Sequence, residues 1–235
     1  MKNKKKLCTE DLGDKNRLLQ IIADNRFRTA IFGSARIKPG DTVYEDIVKL
    51  AENLSKSNYD IVTGGGPGAM EAASKWHALA EKSCLKGQSI GINIELPFEQ
   101  KPNKYLDFTE TKSTFSARLD TFMLLSHVFI ITPGGIGTLL ELFYTWQLMQ
   151  VGHVCRTPII LWGNGYKHLK KFLRDEVLAN GYMTEQDYEM TIQVESMEQV
   201  LQLVNMAHRH HEQVWENACV NIKQYIAGAK QLGLI

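Results

Sequence analysis

The chain has 235 residues, 44% of them apolar, and a formal charge of +1. That length and content suit one globular α/β domain with a sizeable core, and so small a charge gives no long-range pull toward nucleic acid or a membrane surface. No apolar run is long enough to span a bilayer. The four cysteines, Cys8, Cys84, Cys155 and Cys219, lack metal-ligand spacing and suggest single thiols in a reducing compartment.

The basic start, through Lys6, is followed by no signal-peptide core, so the expected location is the cytoplasm. Residues 1–8 read as a solvated tail, and Thr9 to Asn25 as a helix with Leu12, Leu18, Leu19 and Ile22 on its apolar side. Arg28 to Phe32 reads as the first strand. It ends in Gly33-Ser34-Ala35-Arg36, a small-residue turn with one hydroxyl and one cation. In open α/β sheets, such turns at strand carboxyl ends are where ligands bind, although many only connect. Asp41 to Ser57 carries Val43, Ile47, Leu50 and Leu54 at helical spacing, with Glu45–Lys49 and Glu52–Lys56 pairs on the wet side.

Tyr59 to Thr63 reads as the second strand. It runs into Gly64-Gly65-Gly66-Pro67-Gly68-Ala69-Met70, a second tight turn into a helix predicted to reach Lys82. No Gly-Lys-Ser/Thr follows, so it is not a P-loop. Ser89 to Ile94 is a third strand, residues 95–103 an irregular loop, and Asp107 to Glu110 a short strand. Ser113 to Ser126 reads as a helix with Phe115, Leu119, Phe122 and Leu125 on its apolar side. Arg118 and Asp120 interrupt that greasy segment. An arginine among bulky apolar neighbours calls for an anion, either a buried partner or a substrate.

His127 to Thr132 is an apolar, β-branched run that reads as a central buried strand. Pro133-Gly134-Gly135-Ile136-Gly137-Thr138-Leu139-Leu140-Glu141 follows and leads into a helix. Glycines allow close backbone approach, and the helix start turns unpaired N–H groups and a positive dipole end on the same spot. Strand, glycine turn and helix together make an anion site, most often for phosphate. A phosphate there would repel Glu141, so the carboxylate is expected to face the sugar of a sugar phosphate. Thr138-x-x-Glu141 also has the spacing of a capping box, a purely structural role; local sequence leaves both readings open.

The helix through Gln150 is apolar on almost every side, more than a sheet-covering helix needs. The excess suggests a twofold subunit interface. Thr157 to Trp162 is a further strand, Tyr166 to Ala179 a helix, Thr191 to Val194 an edge strand and Ser196 a helix start. A long final helix runs from His208 to Ala229. His208-Arg-His-His211 has two histidines at metal-like spacing but no evident further ligands, so no metal is expected.

Strands and helices alternate along the chain. The expected fold is α/β, a doubly wound parallel sheet with helices on both faces in a single domain. All three glycine turns then fall at one edge of the sheet, which favours a nucleotide-sized ligand. The expected division is a tail and helix over 1–27, the binding and catalytic domain over 28–205 and a terminal helix over 206–235.

The three glycine segments, with the complete PGGxGTxxE string, resemble the LOG ("Lonely guy") family of nucleoside 5′-monophosphate phosphoribohydrolases, often mislabelled lysine decarboxylases. The resemblance covers roughly residues 28–205 and implies a Rossmann-like fold without cofactor or metal. It implies a catalytic pair of Arg118 and Glu141. It further implies substrate and phosphate binding by Gly33, Ser34, Arg36, Gly64, Gly65, Gly66, Gly68 and Met70. On the other side of the ligand it implies Pro133, Gly134, Gly135, Gly137 and Thr138. The family's usual Arg-Lys pair is Arg118-Leu119 here, and a Met-His of plant-type members is Phe115-Ser116; these differences bear on the base rather than on the reaction class.

The implied reaction is hydrolysis of the N-glycosidic bond of a nucleoside 5′-monophosphate, of the AMP or cytokinin riboside monophosphate type, to free base and ribose 5-phosphate. The implied partners are that small molecule and a second copy of the chain, docked through the helix after Gly137, with neither nucleic acid nor membrane. The alternative is a non-catalytic nucleotide or molybdenum-cofactor carrier of the same fold, which would keep the glycine turns but need neither Arg118 nor Glu141. A pyridoxal-dependent decarboxylase finds no lysine in a Schiff-base setting, and a dehydrogenase lacks GxGxxG in the first turn.

Overall fold

The computed structural model describes residues 14–76, 87–96 and 101–213, together with residues 231 and 233; of residues 14–16, 212 and 213 only the helical backbone is described. Its centre is a seven-stranded sheet. The strands are β1 Arg28–Phe32, β2 Asp60–Thr63, β3 Ser89–Ile94, β4 Phe108–Lys112, β5 Val128–Ile131, β6 Ile159–Trp162 and β7 Thr191–Val194. Their order is β4-β3-β2-β1-β5-β6-β7, and every neighbouring pair is parallel. Four of the five inner strands, β1, β2, β5 and β6, are buried at every position. Strands covered on both faces read as continuous apolar runs rather than alternating ones, as Val128-Phe-Ile-Ile131 does.

The described helices are α1 Asp14–Ala23, α2 Thr42–Lys56, α3 Ala69–Ser74, α4 Phe115–Leu125, α5 Ile136–Gln150, α6 Gly165–Phe172, α7 Glu185–Glu189 and α8 Met197–Gln213. They form two layers. Ile31, Ile130 and Ile160 point to one face, against Tyr44, Ile47 and Leu54 of α2 and Val200 and Leu203 of α8. Phe32, Phe129 and Ile131 point to the other, against Phe122 of α4 and Leu142 and Trp146 of α5. The chain is therefore a single α/β domain, doubly wound, as the alternation of elements predicts.

Several boundaries differ from the expectation. Helix α1 is described only over Asp14–Ala23, and α3 only to Ser74, so the predicted extensions to Thr9 and Lys82 lie outside the described residues. The predicted division at residue 205 falls inside α8, which runs unbroken through it to Gln213; the rest of the predicted terminal helix lies outside the described residues. Helix α6 ends at Phe172 and continues as a π-helical turn, Leu173–Leu178. The short α7 was not foreseen; Thr184 caps it with a full capping box to Asp187. Cys155 is disulfide-bonded rather than a single thiol.

His208 and His211, singled out for their spacing, lie against the Phe27 ring, with centroids at 5.1 and 5.6 Å. His211 also meets His127 at 4.2 Å. The pair thus packs α8 against the amino ends of β1 and β5. Among the described residues no helix is long and apolar enough to cross a membrane.

Phe122 is fully buried and meets the edge of Phe32 at 4.9 Å. Phe122→Ala is expected to lower the unfolding free energy by about 3–5 kcal/mol. The check is urea denaturation, where the midpoint should fall while the slope stays unchanged.

Candidate active site

Strand β1 pairs with β2 on one side and β5 on the other. The loops leaving its carboxyl end therefore part in opposite directions, and a crevice opens there. It is a cleft of about 530 Å³, within the range of small-molecule sites. Gly33, Ser34, Ala35 and Arg36 from the β1 loop form one wall. Gly135, Ile136, Gly137 and Thr138 from the start of α5 form the facing one. Gly64, Met70, Asn93, Arg118 and Glu141 lie along the lining as well.

Not every residue implied by the resemblance lines this cleft. Gly65, Gly66, Gly68, Pro133 and Gly134 stand behind it as parts of the turns. The amides of Gly65 and Gly66 are turned onto Thr63 Oγ1 at 3.1 Å and Met70 Sδ at 3.4 Å. Asn103 holds the same turn from outside, donating its backbone N–H to the Gly65 carbonyl and its side-chain Nδ2 to the Gly66 carbonyl. Gly68 has φ +70°, and a Cβ there would lie 2.4 Å from the Ser34 carbonyl; it locks the second turn against the first. The second glycine turn is thus bonded to itself and its neighbours. The amides free to meet an anion belong to the start of α5, whose first N–H groups have no partner within the helix.

The capping-box reading of Thr138-x-x-Glu141 does not hold. The N-cap of α5 is Gly135, without a side-chain cap bond. Thr138 is one turn too late to cap, and both it and Glu141 are buried. Glu141 instead accepts a hydrogen bond from Arg118 Nη1 at 3.1 Å. Arg118 Nε donates to the Ile92 carbonyl at 2.7 Å, and its guanidinium lies 5.2 Å from the Phe122 ring centroid. Asp120, the other charge on α4, takes no part; it accepts from the Tyr144 hydroxyl at 2.8 Å. Gly64 has a steric reason to lack a side chain: a Cβ there would lie 2.1 Å from Arg118 Nη2.

Sequence reasoning passed over Asn93, Ile94, Leu96, Phe115, Ile136 and Leu139 as lining residues. Asn93 had one visible signal, a primary amide in the otherwise apolar end of β3. Its Oδ1 is buried with no hydrogen-bond partner among the described residues, an arrangement that costs about 1–3 kcal/mol. Phe115 was expected in the core and is instead 52% exposed at the cleft, because α4 begins at that residue and its first turn overhangs the cleft.

An opposite charge nearby ordinarily lowers a carboxyl pKa, but here burial pushes Glu141 up to about 7, and Arg118 opposes the shift only in part. The same burial pushes Arg118 below its ordinary value. A carboxyl with a pKa near neutrality is suited to exchanging protons at working pH. It binds a proton below about pH 7 and releases it above. A wild-type minus Glu141→Gln difference titration, followed by carboxyl infrared absorption, is expected to give a midpoint of about 7. A midpoint under 5 would mean that the ion pair outweighs desolvation.

The chain is similar to several known proteins. Residues 68–204 match a family model described as "Possible lysine decarboxylase". The "Pyrimidine/purine nucleotide 5′-monophosphate nucleosidase" of Escherichia coli K12 is 32% identical over 99 residues. That match covers 41% of this chain and 22% of the relative, so the chain spans less than a quarter of that protein's length. Among solved structures, the molybdenum cofactor binding protein of Rippkaea orientalis aligns at a TM-score of 0.58 and 20% identity, over 77% of this chain and 96% of that one. The molybdenum cofactor carrier protein of Chlamydomonas reinhardtii aligns at 0.56 and 18%, over 78% and 99%. At such identities these structures share the fold. The family model spans more than half of the sequence and includes the whole PGGxGTxxE segment, and the chain accordingly belongs to the LOG family, the group to which that model corresponds.

Proposed function

We propose that the protein hydrolyses the N-glycosidic bond of a nucleoside 5′-monophosphate, releasing the base and ribose 5-phosphate. The observation that carries this reading is the buried Arg118–Glu141 pair on the lining of a cleft whose facing wall is a glycine-rich helix start. The 5′-phosphate lies against the first amides of α5 and the Ser34 turn, where the helix dipole favours an anion. The ribose then extends toward Glu141.

Cleavage passes through an oxocarbenium-like sugar. Ionised Glu141 stabilises that cation and takes one proton of the attacking water; the water oxygen bonds to C1′ as the C1′–N bond breaks, the departing base takes a proton from solvent, and Glu141 returns its own to solvent. Arg118 is committed through Nε to Ile92 and through Nη1 to Glu141, which suits a residue that aims the carboxylate better than one that clamps phosphate with two donors. A non-catalytic carrier, whether of nucleotide or of molybdenum cofactor, has no use for such a pair. AMP and cytokinin riboside monophosphates are the first substrates to examine, and the expected location is the cytoplasm.

The reading includes a twofold partner. On α5, Ile136, Leu140 and Phe143 are 84%, 44% and 42% exposed, at i, i+4 and i+7 on one helix face. Leu124 of the adjoining α4 is 65% exposed. A contiguous apolar stripe of this kind is what an isologous interface covers.

Incubation with AMP, other monophosphates and isopentenyladenosine monophosphate is expected to release free base, and Glu141→Gln to lower kcat by about 10²–10⁴-fold. Absence of base from every substrate, with folded protein, removes the enzyme reading. Light scattering after size exclusion is expected to give the mass of a dimer for the wild type and of a monomer for Phe143→Asp; a monomeric wild type refutes the interface.

A further inference from the structure

Asn93 stands apart from the machinery described so far. It is the penultimate residue of β3, one beyond Ile92, whose carbonyl holds Arg118. Its residue is 6% exposed, it lines the cleft, and its Oδ1 is buried without a partner among the described residues. The second glycine turn shows where the amide lies relative to the reacting end. A Cβ on Gly64 would lie 2.1 Å from Arg118 Nη2, and a Cβ on Gly65, the next residue, would lie 1.9 Å from Asn93 Oδ1. The guanidinium and the amide thus each pack against one of two consecutive residues of the same turn. On the hydrolase reading, this places Asn93 near the sugar end of the ligand.

A buried amide near that end calls for a neutral polar group. A phosphate offers only acceptors. A ribosyl hydroxyl both donates and accepts, so it satisfies either end of the amide, and a half-turn of the terminal torsion exchanges the two ends. We infer that Asn93 hydrogen-bonds one of the two ribosyl hydroxyls and makes the enzyme select ribonucleotides over deoxyribonucleotides. This rests on the hydrolase reading above and adds a residue that determines specificity for the sugar. The selection runs against intrinsic reactivity, because loss of the electron-withdrawing 2′-hydroxyl makes a glycosidic bond easier to ionise. A preference for ribose must therefore come from a contact.

The test compares kcat/KM for AMP, 2′-deoxy-AMP and 3′-deoxy-AMP in the wild type, Asn93→Ala and the near-isosteric Asn93→Leu. The wild type is expected to favour AMP over one of the deoxy analogues by about tenfold. Both variants are expected to lose that preference by slowing AMP while leaving the deoxy substrate nearly unchanged. Because each ratio is taken within one protein, partial misfolding cancels. Equal ratios in wild type and variants would overturn the inference, since a merely structural asparagine would slow all three substrates alike. Should the wild type hydrolyse none of them, and none of the other monophosphates either, the hydrolase reading fails on its own. Calorimetric binding of the same three nucleotides then decides the Asn93 contact separately: it holds if the wild type distinguishes AMP from a deoxy analogue and Asn93→Ala does not, and it falls otherwise.

Discussion

The site depends on one interaction, the buried ion pair between Arg118 and Glu141. Taking two charges out of water costs several kcal/mol for each ion, and their attraction repays this only where geometry and further hydrogen bonds are good. Here the guanidinium also has the Ile92 carbonyl and the Phe122 ring. The carboxylate has only the guanidinium among the described residues, so burial outweighs attraction and its pKa rises. Such a pair is a poor device for stability. It is a good one for keeping a carboxyl aimed, dry and near its point of ionisation.

The surrounding fold supplies what the pair requires. Parallel order about β1 opens the crevice, and α4 and α5 pack on the same face of the sheet, so residues separated by 23 positions in the chain meet there. The first glycine turn and the start of α5 face each other across the space. The second turn, locked by Gly68 and tied by Asn103, gives up its own amides and presents Gly64 to Arg118 instead. The three turns look alike in sequence but have different duties. All three reach the ligand space, but the second does so only through Gly64, which also backs the arginine.

Much of this was legible in the residues. The alternation of apolar runs with amphipathic segments predicts the parallel sheet and its two covered faces, because each pattern matches one repeat of backbone geometry. The glycine turns point to the correct edge of that sheet. Thr138-x-x-Glu141 was misleading, since a capping box and a buried acid have the same spacing and only the true start of α5, at Gly135, separates them. Asn93 and Phe115 were overlooked because their exposure to the cleft depends on where neighbouring elements end, which local pattern does not report. Gly65, Gly66 and Gly68 looked like phosphate ligands because glycine signals a tight backbone without saying which way its amides turn.

The sequence alone determined the layered α/β architecture and the edge at which a ligand space opens, both consequences of periodicity and turn chemistry within short stretches, while the pairing of Arg118 with Glu141 was implied by the family resemblance. Only the tertiary structure decided that Glu141 is buried against Arg118, that its pKa rises rather than falls, and that Asn93 packs against the same glycine turn as Arg118. Solvation and pairing depend on atoms brought together from distant parts of the chain, and no local stretch of residues carries that information.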